Sequence, residues 1–159
     1  MSFGLYIHFP FCKKKCPYCN FSSITADEGL IKRYIEALII ESDHRLTQQY
    51  LGYPQTIYIG GGTPSIVPAH YIKKTVKRFL PDNPIEFTVE ANPESITTSW
   101  LDDMLESGAS RISIGFQSLD DRILHNLGRV HTAKQAISSF DLARSAGFSN
   151  ISIDLMFGV

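Results

Sequence analysis

Three cysteines are the residues of this sequence whose types and spacing most directly imply chemistry. Cys12, Cys16 and Cys19 are all the cysteines of the chain, and they lie within eight residues in the spacing C-x3-C-x2-C. A structural zinc site takes four ligands and disulfides take cysteines in pairs, so three thiols suit neither. Three thiolates suit an iron–sulfur cluster in which one iron stays open for another ligand, because cluster irons favour soft sulfur ligands.

The residues around the cysteines leave two other interpretations open. Lys13, Lys14 and Lys15 separate the first two cysteines, and positive charge near a thiol favours its thiolate form. A zinc ion could use the three thiols together with His8 as a fourth ligand. Cysteines that bind nothing are the simplest alternative. The spacing alone is therefore a moderate signal for a cluster.

The wider string YIHFPFCKKKCPYCNF, residues 6–21, makes the signal more specific. It resembles the radical S-adenosylmethionine superfamily, and within it the oxygen-independent coproporphyrinogen III oxidase branch with its haem-chaperone relatives. The resemblance implies that Cys12, Cys16 and Cys19 hold a [4Fe-4S] cluster whose open iron takes the amino and carboxylate groups of S-adenosylmethionine. It also implies that one electron from the cluster cleaves the sulfonium and yields a 5′-deoxyadenosyl radical.

Composition bounds the class of protein. The 159 residues are 43% hydrophobic and 19% charged with a formal net charge of −1, which is typical of one soluble globular domain. The charge balance argues against a broad basic surface for nucleic acid. No stretch reaches the ~18 apolar residues of a membrane span, and no signal-peptide pattern opens the chain. These features predict a cytoplasmic protein, in which metal use of cysteine is favoured.

Apolar segments with strand character alternate with helical patterns along the whole chain. Five strands are predicted at residues 3–9, 56–59, 85–89, 111–116 and 151–156. Helices are predicted from the capping box at Thr25 to just before Gly52, over 68–80, from Thr97 or Thr98 to Gly108, over 120–127, and from the capping box at Thr132 to Ala146. Residues 81–84 are predicted as a turn. The alternation predicts an α/β fold with a parallel sheet and right-handed crossovers, and the resemblance implies a partial (β/α) radical-SAM barrel of about five strand–helix units.

The predicted strand ends gather the residues that could do chemistry. In parallel α/β folds, function lies beyond the carboxyl ends of the strands. Those ends carry, in order, the cysteine loop, the run Gly60-Gly61-Gly62-Thr63-Pro64, then Glu90, Gln117 and Asp154. All of them are therefore expected on one rim of the sheet.

The glycine run lets the backbone turn tightly and approach a ligand closely. No Gly-Lys-Ser/Thr follows it, which makes a P-loop for nucleoside triphosphates unlikely on this pattern. Taken alone, the run is equally typical of an ordinary strand–helix turn. The resemblance implies that Gly61, Gly62 and Thr63 contact the amino group of S-adenosylmethionine.

Four polar residues are assigned to the cofactor by the resemblance. It implies that Glu90 hydrogen-bonds S-adenosylmethionine and that Asp154 bonds its ribose or adenine region. The amide of Gln117 can donate and accept, which suits a ribose or a carboxylate. Arg129, twelve residues further on, is placed near the cofactor's carboxylate, which a guanidinium binds bidentately. Glu90, Gln117 and Arg129 each have an ordinary structural alternative when they are taken alone. Asp154 is a charge within an apolar strand, which is expensive unless the charge has a partner.

Two tyrosines and two histidines complete the candidate residues. The resemblance implies that Tyr6 lies over the cofactor site and that Tyr18 faces the adenine. A core aromatic is the alternative for Tyr6. An imidazole can ligate haem iron, and His125 and His131 flank Gly128-Arg129, so haem is a further candidate cofactor.

The branch within the family is indicated by Leu127-Gly128-Arg129-Val130-His131. This string resembles the haem chaperones, as does the segment from Asn150 to Gly158, whereas the decarboxylating oxidase carries an asparagine-arginine-proline type of sequence there. Two functions follow: oxidation of coproporphyrinogen III, or binding and delivery of haem. The partners implied are S-adenosylmethionine, a porphyrinogen or haem, and an electron donor.

The chain is also expected to be incomplete. The family's partial barrel has six strand–helix units, and only five strands are predicted here, so residues 1–159 read as the N-terminal portion of a radical S-adenosylmethionine core domain. An open fifth strand favours self-association, because its backbone groups are unpaired and its apolar side chains are exposed. Little or no turnover is expected of such a fragment.

Overall fold

A single parallel sheet carries the fold of the part of the chain that the computed structural model describes, residues 3–25, 27–49, 53–80 and 85–158. Its strands lie in the order β1-β2-β3-β4-β5, and each is parallel to the next. The predicted α/β class and parallel sheet are confirmed. The strands are β1 Gly4–Phe9, β2 Thr56–Gly61, β3 Glu86–Ala91, β4 Arg111–Gln117 and β5 Asn150–Leu155.

Helices connect successive strands. The capping box that opens the last of them is confirmed, since the Thr132 hydroxyl accepts from the Gln135 amide and the Gln135 side chain accepts from the Thr132 amide. Thr97 caps the third helix as predicted, because its side chain accepts from the Trp100 amide. The helices are α1 Glu28–Gln49, α2 Ala69–Val76, α3 Thr98–Glu106, α4 Asp121–Asn126 and α5 Ala133–Ala146, with short 3₁₀ helices at Pro64–Ile66 and Pro93–Ser95.

Two helix ends differ from the prediction. The cap of α1 is Asp27 rather than Thr25, because the Asp27 carboxylate accepts the Leu30 amide at 2.8 Å. The helix α2 ends at Val76, short of the predicted residue 80. The Phe79 amide bonds the Val76 carbonyl at 2.8 Å, which tightens the chain into a turn and lets the Phe79 ring reach the core. The predicted turn at 81–84 and the predicted stop at Gly52 lie outside the described residues.

The centre of the sheet supplies most of the core. β4 has five consecutive buried residues, which is typical of a parallel strand covered on both faces. Ile57 and Ile59 of β2 and Phe87 and Val89 of β3 are also buried almost completely. α2 packs against α1 and α3, and α3 packs against α5. The packed central strands therefore fix where the carboxyl ends of the strands lie, and these ends carry the candidate site residues.

β5 lies at one edge of the sheet, as β1 does at the other, and its apolar side chains are exposed. Ile153 is 40% exposed, Leu155 is 60% exposed, and Phe157 just beyond the strand is 97% exposed. Apolar side chains on an edge strand favour association with another chain. Self-association through this edge stays a prediction.

None of the helices among the described residues is long and apolar enough to cross a membrane.

The cap of α3 gives a test of the fold. Thr97→Ala should lower the free energy of unfolding by about 1 kcal/mol, because the Trp100 amide loses its acceptor. Thr97→Ser keeps the hydroxyl and should stay close to the unsubstituted protein. Urea unfolding followed by circular dichroism measures both, and an equal loss in the two variants would show that the hydroxyl is not the cap.

Candidate functional site

A cleft of about 360 Å³ opens at the carboxyl ends of the strands. Its volume lies in the range of pockets that bind small molecules. All the predicted site residues except Tyr6 line it, so the structure brings them together as the sequence predicted. They are Cys12, Cys16, Tyr18, Cys19, Gly61, Gly62, Thr63, Glu90, Gln117, Arg129 and Asp154.

The base of the cysteine loop is fixed by backbone hydrogen bonds. The Cys12 amide donates to the Ile24 carbonyl at 2.9 Å, and the Cys19 amide donates to the Cys16 carbonyl at 3.1 Å. Phe11, which precedes the loop, is 1% exposed and its carbonyl accepts the Thr63 amide at 2.7 Å. The loop is thus tied to the end of β2 before any ligand is considered.

The three cysteines are free thiols and partly buried. The Thr63 hydroxyl lies 3.7 Å from the Cys12 sulfur, and Nη1 of Arg129 lies 3.8 Å from the Cys16 sulfur. Both groups are directed as donors, which suits sulfurs that carry negative charge. Two of the three sulfurs therefore have a hydrogen-bond donor beside them.

The zinc alternative finds no support in the position of His8. Its Nδ1 lies 2.9 Å from the Tyr6 hydroxyl, and its Nε2 lies 2.9 Å from the Ser22 carbonyl oxygen, so both ring nitrogens are engaged. Within the described ranges, no three His, Cys, Asp or Glu side chains are grouped closely enough to hold one metal ion. A cluster binds its thiolates on separate irons, so ligands spread more widely than those of a single ion are compatible with it.

Arg129 is held by groups from three other parts of the chain: the cysteine loop, the segment after β3, and β4. Its Nη2 donates to Oδ1 of Asn92 at 2.7 Å and to the Gly115 carbonyl at 3.1 Å. The side-chain amide nitrogen of Asn92, Nδ2, in turn donates to the Thr63 hydroxyl at 3.0 Å. A single amide therefore links the two residues whose donors face Cys12 and Cys16. Asn92 is absent from the predicted cofactor residues, although its place in Glu90-Ala91-Asn92-Pro93 at a strand end was a signal for it.

Gly115 is required by this arrangement. A Cβ atom at this position would lie 2.8 Å from Oδ1 of Asn92 and 2.9 Å from Nε2 of Gln117. Real Cβ atoms do not approach so closely, so any other residue would displace one of the two side chains. No role was predicted for this glycine from the sequence, because its role depends on side chains that meet it only in the folded chain.

Glu90 is anchored against the turn after β2. The Tyr58 hydroxyl donates to Oε1 at 2.6 Å, and the Gly61 amide donates to Oε2 at 3.1 Å. Burial raises the pKa of the Glu90 carboxyl, and these two hydrogen bonds offset only part of that rise. Burial and the neighbouring Glu90 also raise the pKa of Tyr58, so the phenol stays a donor.

The glycine turn leaves no room for side chains. Gly61 has a φ of +115°, and a Cβ on it would lie 2.5 Å from the His8 ring. A Cβ on Gly62 would lie 2.5 Å from the Phe11 carbonyl oxygen. The backbone of this turn therefore packs directly against His8 and Phe11, and its close approach to a ligand stays a prediction.

Asp154 lies on the exposed edge strand but has a fixed partner. The Ser113 hydroxyl donates to its Oδ1 at 3.2 Å, and Ser113 accepts from Ser152 at 2.9 Å. Arg111 donates to Ser152 at 2.9 Å. The relay orients the carboxylate into the cleft, in agreement with the expectation that a charge in this strand needs a partner.

Gln117 ends β4 in a strained conformation. Its φ is 66°, the only positive φ outside glycine in the described part of the chain. The Ser118 amide bonds the Phe116 carbonyl at 2.8 Å across it, which makes a γ-turn of the rare positive-φ type. Strain of this kind persists where the surroundings enforce it, often at binding sites.

The two predicted tyrosines lie in different places. Tyr18 lines the cleft, and burial raises the pKa of its hydroxyl although Arg129 opposes the rise. Tyr6 is 55% exposed and lies beside the cleft, with its ring centre 6.1 Å from that of Tyr58. It contacts His8 and Tyr58, whose neighbours Gly61 and Glu90 line the cleft. Its predicted place over a bound cofactor stays a prediction.

The donor set fits an iron–sulfur cluster together with a zwitterionic ligand. Three free thiols border a cleft that also holds a buried guanidinium and two carboxylates. The side chain of Arg129 is 7% exposed, and its Nε has no hydrogen-bond partner among the described residues. A buried donor without a partner is costly, and a ligand carboxylate would satisfy it.

Comparison with known proteins supports this reading. The chain is 39% identical to "Heme chaperone HemW" of Bacillus subtilis (strain 168), over 97% of this chain and 42% of that protein. It is 36% identical to "Radical S-adenosyl methionine domain-containing protein 1, mitochondrial" of Bos taurus, over 98% of this chain and 36% of that protein. The chain thus spans about two fifths of the curated relatives that it matches.

A solved structure shares the fold. It is coproporphyrinogen III oxidase (HemN) from Escherichia coli, described as a Radical SAM enzyme, with a TM-score of 0.88 and 27% identity over 99% of this chain and 38% of that one. The predicted partial barrel is thereby confirmed. The sequence also matches the Radical SAM superfamily over residues 6–159, nearly its whole length, and the chain therefore belongs to the Radical SAM superfamily.

Proposed function

We propose that this protein binds a [4Fe-4S] cluster through Cys12, Cys16 and Cys19 and S-adenosylmethionine in the adjoining cleft. The observation that carries the proposal is the meeting of three free thiols with a buried, partly unpaired Arg129 at one strand-end cleft. Membership of the superfamily supports the same cofactors. When bound, the cluster supplies the electron that cleaves the sulfonium of S-adenosylmethionine.

The glycine turn suits the amino group of the ligand. The amides of Gly61, Gly62 and Thr63 already donate to Glu90, Phe9 and Phe11, respectively. What the turn offers a ligand is therefore acceptors rather than donors. An ammonium group needs acceptors, so this end of the cleft fits the methionine amine.

Arg129 and the carboxylates suit the other groups of the ligand. The unpaired Nε of Arg129 fits the methionine carboxylate, because a guanidinium binds carboxylates strongly. Glu90 and Asp154 accept hydrogen bonds and fit ribose hydroxyls or the amine. Gln117 can donate and accept at the same rim.

We further propose that the protein acts in porphyrin or haem metabolism, on the haem-chaperone side of the family. The relative from Bacillus subtilis carries that name, and the string from Leu127 to His131 resembles that branch. The alternative is oxidase turnover on coproporphyrinogen III, which the likeness to HemN favours. His131 is a poor candidate for a haem ligand, because its ring nitrogens lie 3.2 Å from Glu94 and 3.0 Å from the Phe116 carbonyl.

Four further points belong to the proposal. Residues 1–159 form the N-terminal portion of a radical S-adenosylmethionine core domain, which the partial coverage of the relatives supports. The protein receives its electron from a separate donor, as the cluster chemistry requires. Turnover by this chain alone is little or none. The cytoplasmic location expected from the sequence stays a prediction.

Cluster binding is tested by cysteine substitution. Cys12→Ala, Cys16→Ala and Cys19→Ala should each lose most of the charge-transfer absorbance after anaerobic reconstitution with iron and sulfide, because each removes one thiolate. Lys13→Ala, in the same loop but exposed, is the matched control and should reconstitute like the unsubstituted protein. Normal clusters in all three cysteine variants would disprove the assignment.

Ligand binding is tested at Glu90. Glu90→Ala should weaken binding of S-adenosylmethionine to the reconstituted protein by about tenfold or more, since a hydrogen bond to a charged group contributes about 1.5–3 kcal/mol. Calorimetry measures the affinity. Glu86→Ala, at the exposed start of the same strand, should leave it unchanged. Unaltered affinity in a Glu90→Ala, Asp154→Ala double variant would rule out these residues as ligands.

The branch is tested by two incubations. Titration with haem should give a saturable shift of the Soret band, as expected of a haem carrier. Anaerobic incubation with coproporphyrinogen III, S-adenosylmethionine and a reductant should yield no decarboxylated product. Steady decarboxylation would assign the protein to the oxidase branch instead.

A further inference from the structure

His131 is a buried polar group near the cleft that has no part in the proposed ligand contacts. It is 3% exposed and lies in the loop between α4 and α5, two residues after Arg129. A buried imidazole is held in place by its hydrogen bonds, so the partners of its two nitrogens show what it fixes.

The first partner is the turn that carries Gln117. Nε2 of His131 lies 3.0 Å from the Phe116 carbonyl oxygen. A carbonyl only accepts, so Nε2 carries a hydrogen and donates to it. The same carbonyl accepts the Ser118 amide in the γ-turn around Gln117. His131 therefore adds a second donor to the carbonyl that closes a strained turn, and the turn directs Gln117 into the cleft.

The second partner is the carboxylate next to Arg129. Nδ1 of His131 lies 3.2 Å from Oε2 of Glu94, and the same oxygen lies 4.0 Å from Nη2 of Arg129. A carboxylate also only accepts, so Nδ1 donates as well and the ring holds a hydrogen on each nitrogen. Burial alone would raise the pKa of Glu94, but the hydrogen bond from His131 holds that pKa below its ordinary value. The Glu94 carboxylate is 15% exposed and stands as the counter-charge of the buried guanidinium.

We propose that His131 is a positioning residue that sets two ligand-binding side chains at once, Gln117 through the Phe116 carbonyl and Arg129 through Glu94. This inference rests on the proposed function, in which both side chains contact S-adenosylmethionine. Residues that support ligating groups in this way commonly change affinity by about 10- to 100-fold when they are replaced. The imidazole makes no contact with the ligand itself.

Two substitutions separate the two links. His131→Gln places an amide donor near the position of Nε2 and keeps the link to Phe116, whereas His131→Asn places one near Nδ1 and keeps the link to Glu94. Each variant should bind the cluster with normal absorbance and bind S-adenosylmethionine about tenfold more weakly by calorimetry. The change that S-adenosylmethionine produces in the electron paramagnetic resonance spectrum of the reduced cluster should shrink accordingly. His70→Gln, on the exposed face of α2, is the control and should match the unsubstituted protein.

A double-mutant cycle distinguishes positioning from general stabilisation. In a Gln117→Ala background, His131→Asn should cause no further loss of affinity, because the link that it removes acts only through Gln117. His131→Gln should still cause its full loss there, because its effect passes through Arg129. Equal additional losses for both substitutions would overturn the proposal, since a merely structural role predicts them.

The outcomes separate this inference from the function on which it rests. If the unsubstituted protein holds a cluster but does not bind S-adenosylmethionine, both fail. If it binds and both His131 variants bind equally well, only the role of His131 fails. Glu94→Gln tests the link between His131 and Arg129 without changing His131, so it decides the case in which a His131 variant does not fold. A tenfold loss of affinity for S-adenosylmethionine in Glu94→Gln supports the inference, and unchanged affinity overturns it.

Discussion

The buried guanidinium of Arg129 is the charge on which the rest of the site depends. Its side chain is 7% exposed, and a charge so far from water is tolerated only when hydrogen bonds and opposite charge surround it. Those partners come from separate elements: Asn92 after β3, Gly115 in β4, and Cys16 in the first loop. The requirement to satisfy one cation thus ties the cysteine loop to the far strands of the sheet.

Close packing explains why small residues recur on the rim. Gly62 and Gly115 each stand where a Cβ would lie less than 3 Å from a group that belongs to the site. At Gly62 that group is the backbone of the cysteine loop, and at Gly115 it is the amide that holds Arg129. Close approach of strands, loop and guanidinium leaves space only for hydrogen at these positions. Close packing and hydrogen bonding therefore impose one constraint at these positions, because moving the backbone at Gly62 or Gly115 would break hydrogen bonds of the site.

The sequence predicted the strands and the rim well because both follow from local patterns. Strand–helix alternation places strand ends on one edge, so Glu90, Gln117 and Asp154 could be assigned to the cleft without coordinates. Asn92 and Gly115 could not be given their roles in this way, since these depend on which side chains meet across strands. The cap of α1 was misplaced by two residues because Thr25 and Asp27 both have capping chemistry, and only the three-dimensional path selects Asp27.

The network also divides the site into a part that the protein organises and a part that a cluster would organise. Thr63, Asn92, Arg129 and Glu90 are fixed by hydrogen bonds between protein atoms, so this wall of the cleft needs no cluster to hold it. The base of the cysteine loop is likewise fixed through Ile24, whereas the three thiols meet no common partner among the described residues. Metal binding to such a loop contributes its own ordering energy. If the loop holds the proposed cluster, loss of that cluster would release the three thiols while the polar network around Arg129 remained, because the hydrogen bonds of the network involve no metal ligand except the contact of Arg129 with Cys16.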